Sequence, residues 1–252
     1  MIYGFYLSAS GVLANSYRQD VIANNIANSE TVGFKKDLTM LQQRPTAAQE
    51  TGRFSQSDPL LEPMGGGLLA ARSAIDSSAG GIESTGNNFD VALQGDGYLA
   101  VSSQGKTHLT RNGQMVLDRS GRLVLSNNLA EAVLDNKQKP IVLGTTAPVS
   151  FALDGTIAQN GKTVAKLGLF NVSDGSQLQK DGGTLLGIPD GAALSEAQPS
   201  VHSGFIEHSN VDPSTELTAL MDTQRQLEAN ANMIHIQDET LDKLVNDVGR
   251  IG

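Results

Sequence analysis

From Pro213 to Val248 the chain contains no Gly and no second Pro, and that stretch limits the possible folds more than anything else in the sequence. Positions Leu217, Leu220, Gln224, Leu227, Ala231, Ile234, Asp238, Leu241, Val245 and Val248 advance in alternating steps of three and four, and all but Gln224 and Asp238 are apolar. A period near 3.5 residues is the mark of a helix that lays a stripe against another helix. Asp212 can cap the first free N–H groups, Pro213 suits the first helical position, and Glu216 places negative charge in the first turn. Gly249 and Gly252 predict the end. Such a helix would run on the order of 50 Å, and one narrow stripe on so long a rod requires a companion.

The N-terminus supplies a candidate. A helix is expected from about Tyr3 to Asn28, with Tyr6, Leu13, Tyr17 and Val21 on one face and Ile22 and Ile26 close to it. Gly4 and Gly11 weaken it in isolation, so packing must stabilise it. Asn24, Asn25 and Asn28 fall in the same segment. Asn is a mediocre helix former, but an amide on a packing face can fix the register between helices at some cost in stability.

Between the helices the pattern changes. Residues 38–87 carry Pro45, Pro59, Pro63 and the run Gly65-Gly66-Gly67, which predicts an extended or irregular connection. From Asn88 onward short alternating runs are broken by Asn112-Gly113, Ser120-Gly121, Asp154-Gly155 and Asn160-Gly161, each a hairpin signal. A compact all-β domain is expected over residues 88–203, its last part rich in Gly, Asp, Ser and Pro. The expected class is therefore α+β: N- and C-terminal helices, within residues 1–37 and 204–252, forming a coiled-coil-like core domain, and a central all-β domain.

Composition removes several kinds of function. A net charge of −9 with no basic run longer than Lys35-Lys36 leaves no footprint for a phosphate backbone, so nucleic acid is not an expected partner. The chain has no Cys, which excludes disulfides and thiolate metal sites and suits a protein that passes between reducing and oxidising compartments. Residues 1–11 lack the basic and apolar regions of a cleaved signal peptide, so work outside the cytoplasm would need another exit route. No window approaches the length of a spanning helix.

Motifs for catalysis are equally thin. Gly95-Asp96-Gly97-Tyr98-Leu99-Ala100 matches a loose dinucleotide pattern, yet the residues after it alternate as a strand where a phosphate-binding helix should begin. His108, His202, His208 and His235 form no HExxH or comparable ligand pair. There is no nucleophile elbow, P-loop or EF-hand loop. No cofactor, metal, small-molecule substrate or enzymatic activity is expected.

Three separated blocks do carry a resemblance. Asp20-Val21-Ile22-Ala23-Asn24-Asn25-Ile26-Ala27-Asn28, followed by Thr31-Val32-Gly33-Phe34-Lys35, resembles the N-terminal signature of the bacterial flagellar rod and hook family, departing from it at Ser29-Glu30. Phe89-Asp90-Val91-Ala92-Leu93-Gln94-Gly95-Asp96-Gly97-Tyr98-Leu99, then Thr110-Arg111-Asn112-Gly113 and Gly121-Arg122-Leu123-Val124, is similar to its central signature, with Tyr98-Leu99 where two aromatics are common. Ser209-Asn210-Val211-Asp212, Glu216-Leu217 and Gln224-Arg225-Gln226-Leu227-Glu228-Ala229-Asn230 resemble its C-terminal signature, with Leu227 replacing a common aromatic.

The resemblance implies a structural subunit of the flagellar basal-body rod. Its terminal helices would pack into a tubular core that transmits torque and encloses the export channel, with the β domain facing outward. Length and the compact β region favour the proximal rod type, with the distal rod type close behind and the hook, which carries larger insertions, disfavoured. The implied partners are copies of itself, other rod and hook proteins, surrounding ring proteins and the flagellar type III export apparatus. The expected subunit contacts are Leu13, Tyr17, Val21, Asn24, Asn25, Asn28, Leu217, Leu220, Gln224, Leu227, Ala231, Ile234, Leu241, Val245 and Val248. A rival of another class is a secreted β-domain binding module with its helices paired inside the monomer, which should carry an exposed apolar patch on the β domain.

Overall fold

The computed structural model describes residues 2–45, 67–127, 131–144, 148–172, 178–189 and 191–248. Pro59, Pro63, Gly65 and Gly66 of the expected connection, the helix-ending Gly249 and Gly252, and the side chain of Val248 lie outside the described residues. Helix α1 spans Ile2–Ala27 and helix α2 spans Pro213–Val248. Pro213 opens α2 and Glu216 sits in its first turn, as the sequence predicts. Asn28 stands one residue past α1, in a turn where the Thr31 N–H donates to the Asn28 carbonyl at 3.1 Å. Among the described residues no helix is long and apolar enough to cross a membrane.

The chain is α+β, and it divides into two compact units at points other than those the sequence pattern suggests. One comprises Met1–Ile26, Leu38–Ser73 and Pro213–Gly252; the other comprises Ala27–Asp37 and Ala74–Asp212. Residues 27–37 and 204–212 thus belong with the β-rich unit, and part of the expected connection belongs with the helices. The helical unit carries a small antiparallel hairpin, Leu41–Gln43 against Leu68–Ala70. It is tied to α1 where Arg44 donates to the Tyr6 hydroxyl at 2.8 Å.

In the β-rich unit the main antiparallel sheet places the strand Tyr98–Ser103 centrally. It pairs with Lys106–Thr110, with Ala132–Val133 and with Leu169–Val172. Strand residues alternate between faces, and here both faces are covered. Leu99 and Val101 enter a core with Met115, Leu123, Leu125 and Ile157, while Tyr98 and Ala100 enter a second with Leu109, Phe170 and Leu186. This is why Tyr98-Leu99-Ala100-Val101 is continuously apolar rather than alternating. The strand begins directly after Gly97, so the Gly95–Ala100 pattern has no helix to hold a pyrophosphate.

Three of the four predicted turn signals join paired strands. Asn160 and Gly161 both adopt positive φ in the hairpin between Thr156–Gln159 and Lys162–Lys166. Asp154-Gly155 joins Val149–Phe151 to Thr156–Gln159, and Ser120-Gly121 joins Met115–Leu117 to Leu123–Leu125. Asn112-Gly113 does something else. It is an internal crossing between unpaired strands, where the Gly113 carbonyl accepts from Val91 N–H at 3.0 Å and Asn112 is buried. The hairpin after Ser103 turns instead on Gln104-Gly105, both at positive φ, a pair the sequence reading passed over.

Candidate assembly surface and buried charge cluster

Within the helical unit, α1 and α2 meet through a column of small and polar residues. The Asn25 side chain donates to the Glu216 carboxylate at 3.2 Å. A Cβ on Gly11 would stand 2.9 Å from the Asn230 amide nitrogen, and one on Gly4 would stand 3.0 Å from the Gln237 amide nitrogen. From Gly4 to Gly11 is one heptad along α1, and from Gln237 to Asn230 is one heptad back along α2. Two further heptads lead to Asn25 and Glu216. The helices therefore meet antiparallel in one constant register, and the two glycines leave room for the amides opposite them.

The inward residues of α2 are Glu216, Leu220, Thr223, Leu227, Asn230, Ile234, Gln237 and Leu241, all buried or half-buried. The predicted Leu220, Leu227, Ile234 and Leu241 are among them. Leu217, Gln224 and Ala231 are exposed instead, each displaced by the polar residue one position before it. Val245 is also exposed, at 70%. On α1 the same offset appears with the opposite sense: Ala14 and Ile22 are buried, while Leu13 is 72% exposed and Val21 is half-buried beside Ile22. Tyr17 is half-buried, Asn24 exposed, and Asn25 only 1% exposed. Of the three asparagines, Asn25 is the one placed to set the register between the helices. Asn25→Ala should cost about 1.5–3 kcal/mol, the value of a hydrogen bond to a charged group, read as a lowered unfolding midpoint of the helical unit.

With those inward positions filled from within the chain, the helices still expose Phe5, Tyr6 and Leu13 on α1 and Leu217, Met221, Met233 and Ile236 on α2.

The β-rich unit holds a group of buried charges that sequence reasoning missed. Lys35 Nζ lies 2.6 Å from Glu207 Oε1 and donates at the same distance to the Ser78 carbonyl. Arg111 bonds Glu207 Oε2 at 3.1 Å and donates to the carbonyls of Leu93 and Gly95. The Gly80 N–H completes the Glu207 shell at 3.0 Å. All three charged side chains are at least nine-tenths buried. Burial pushes the Lys35 ammonium below its ordinary pKa, and the hydrogen bond and charge of Glu207 pull it only partly back. The pair thus does not fully offset the desolvation of the lysine.

The blocks that carry the resemblance converge here. Gly33, at φ +70°, donates to the Glu207 carbonyl at 2.7 Å, and a Cβ there would stand 2.2 Å from the Asn112 backbone nitrogen. Only glycine fits that crossing. Phe34 beside it is buried, with Lys180 Nζ 3.5 Å from its ring centroid and paired to Asp37 at 2.8 Å. The Lys36 N–H donates to Asn210 Oδ1 at 2.8 Å. Thr31-Val32-Gly33-Phe34-Lys35, Arg111-Asn112-Gly113 and Ser209-Asn210 are one interlocked structural joint. The lone signal in the sequence is that Lys35 and Arg111 stand inside motif blocks while Glu207 precedes a third. Among the described residues no group of three or more His, Asp or Glu could hold a metal ion.

Residues 5–35 match the family model described as flagella basal body rod protein, and residues 202–247 match that of the flagellar basal body rod FlgEFG protein C-terminal region. The chain is 30% identical over 250 residues to flagellar basal-body rod protein FlgF of Caulobacter vibrioides, covering 98% of each. It is 31% identical over 269 residues to flagellar basal-body rod protein FlgG of Bacillus subtilis, covering 98% of this chain and 99% of the other. With FlgF of Mesorhizobium japonicum it shares 27% identity over 248 residues, 97% of each. Matched over nearly its whole length at 30% and 31% identity by two of these relatives, the chain belongs to the flagellar basal-body rod protein family.

Proposed function

We propose that this chain is a structural subunit of the flagellar basal-body rod and has no enzymatic activity. It polymerises through its terminal helices, with α1 and α2 paired as an antiparallel coiled coil inside each subunit and their exposed apolar residues covered by neighbouring copies. The observation that carries this reading is the contrast on α2. Its inward column is filled from within the chain, while Leu217, Met221, Met233 and Ile236 remain in water. Contacts that repeat head to tail without closing generate filaments, and a helix pair with a second apolar surface supplies such contacts. The partners are further copies, other rod and hook proteins and ring proteins, with delivery by the flagellar export apparatus. Both helices gain stability when neighbours cover them, so their outer turns order fully on assembly.

The test is basal-body morphology in a deletion strain complemented with the full chain or with a chain ending at Ser209. Rods and motility should return with the full chain alone. Intact basal bodies in the uncomplemented strain would refute the reading.

A further inference from the structure

The helical unit carries a groove of about 510 Å³ between α1, α2 and the small hairpin. Leu7, Gly11, Asn15 and Arg18 line it from α1, at steps of three and four residues that keep them on one face. Leu41 and Leu68 line it from the hairpin and are 40% and 44% exposed. Arg18 is the only basic residue of α1, and it is half-buried. Among the described residues it forms no ion pair within the chain. The groove thus presents one guanidinium beside apolar side chains.

Its complement is a carboxylate beside an apolar side chain, and α2 carries that combination. Asp238, Asp242 and Val245 follow one another at steps of four and three, so they share a face. Both acids are exposed, and Val245 is 70% exposed. Two carboxylates one turn apart repel each other, and neither has a Lys or Arg three or four residues away. The other exposed acids of α2 differ: Asp222 and Glu228 each stand three residues from Arg225, and Glu239 stands four before Lys243. The acidic face does not reach the groove of its own chain. In the register set by Gly11 against Asn230, Arg18 is level with Thr223, and Asp238 stands about 22 Å farther along α2, beyond side-chain reach.

We propose that the Arg18 groove of one copy receives the face Asp238, Asp242 and Val245 of α2 from a second copy. This inference rests on the rod-subunit reading above and adds to it which surfaces meet. The pairing joins two different surfaces, so it is head to tail, and it propagates as a filament where it does not close. It also sets a charge-assisted hydrogen bond against the mutual repulsion of copies that each carry a net charge of −9.

Charge exchange in the full chain, expressed in the deletion strain, is the test. Arg18→Glu alone, and the pair Asp238→Lys with Asp242→Lys alone, should each cut rods in electron micrographs, and swimming with them, roughly tenfold or more, as expected for close charge pairs at an interface. The acidic positions are exposed, so the lysine pair should keep the wild-type unfolding curve, and that arm stands even if Arg18→Glu disturbs folding. A chain carrying all three substitutions presents opposite charges again across the contact and should recover rods and swimming. Normal rods in the lysine pair overturn the proposal, as does failure to recover in a triple variant with the wild-type unfolding curve. Loss with Arg18→Glu but not with the lysine pair would assign the carboxylate to a different protein. The rod-subunit reading fails differently, through intact basal bodies in the uncomplemented strain.

Discussion

Glu207→Ala should destabilise the β-rich unit by about 3–5 kcal/mol, the loss observed when one partner of a buried ion pair is removed. The effect is large because Glu207 pairs with two buried cations at once. Its removal strands Lys35 and Arg111 together, with the carbonyls of Ser78, Leu93 and Gly95 as their remaining acceptors. Lys35→Met should cost clearly less. Glu207 would keep Arg111 and the Gly80 N–H, and a lysine whose pKa is held down by burial contributes little net stability in its charged form. Urea unfolding followed by circular dichroism would measure both, since the chain has no Trp. Equal losses for the two variants would contradict this account of the cluster.

The same lysine has a pH signature. Its folded-state pKa lies below the ordinary 10.5, so the unfolded chain holds this proton more tightly than the folded one. The penalty is present in full below the folded-state pKa and is relieved as pH rises from there towards 10.5. Wild type should gain stability relative to Lys35→Met across that alkaline window.

What the sequence revealed, and what it hid, follows from the range of the interactions. Helix α2 was legible to its first residue because Pro213, Glu216 and the lack of Gly act locally. Its inward face was half legible. A search for apolar periodicity finds Leu220, Leu227, Ile234 and Leu241, but then prefers Leu217 and Ala231 to their neighbours Glu216 and Asn230. Glu216, Asn230 and Gln237 belong to the true column because the residues facing them are Asn25, Gly11 and Gly4, and nothing on α2 itself records that. The joint was less legible still. Lys35 and Glu207 are 172 residues apart, and local pattern cannot place residues 27–37 with the β-rich unit. Asn112-Gly113 failed as a hairpin signal for a related reason: its backbone is committed to Val91, a residue on a different strand.

The offset on α2 also decides which substitutions can test assembly. Leu220→Asp or Ile234→Asp would place charge on half-buried positions of the inward column, so a subunit missing from the rod could simply have unfolded. Leu217 and Met221 are four residues apart, on one side of the helix, and 52% and 48% exposed. The pair Leu217→Asp and Met221→Asp should leave solution stability within about 0.5 kcal/mol of wild type, as for most surface changes. A neighbour that covers this face would instead have to bury two unpaired carboxylates, at a cost of several kcal/mol. Loss of swimming and of rods in electron micrographs, with an unchanged unfolding curve, is the expected result. Leu227→Asp is the control that should lower the unfolding midpoint itself, because Leu227 lies in the inward column. If the double variant builds normal rods, the outward face of α2 is not an assembly surface, and the contacts between subunits must be sought on Phe5, Tyr6 and Leu13 of α1.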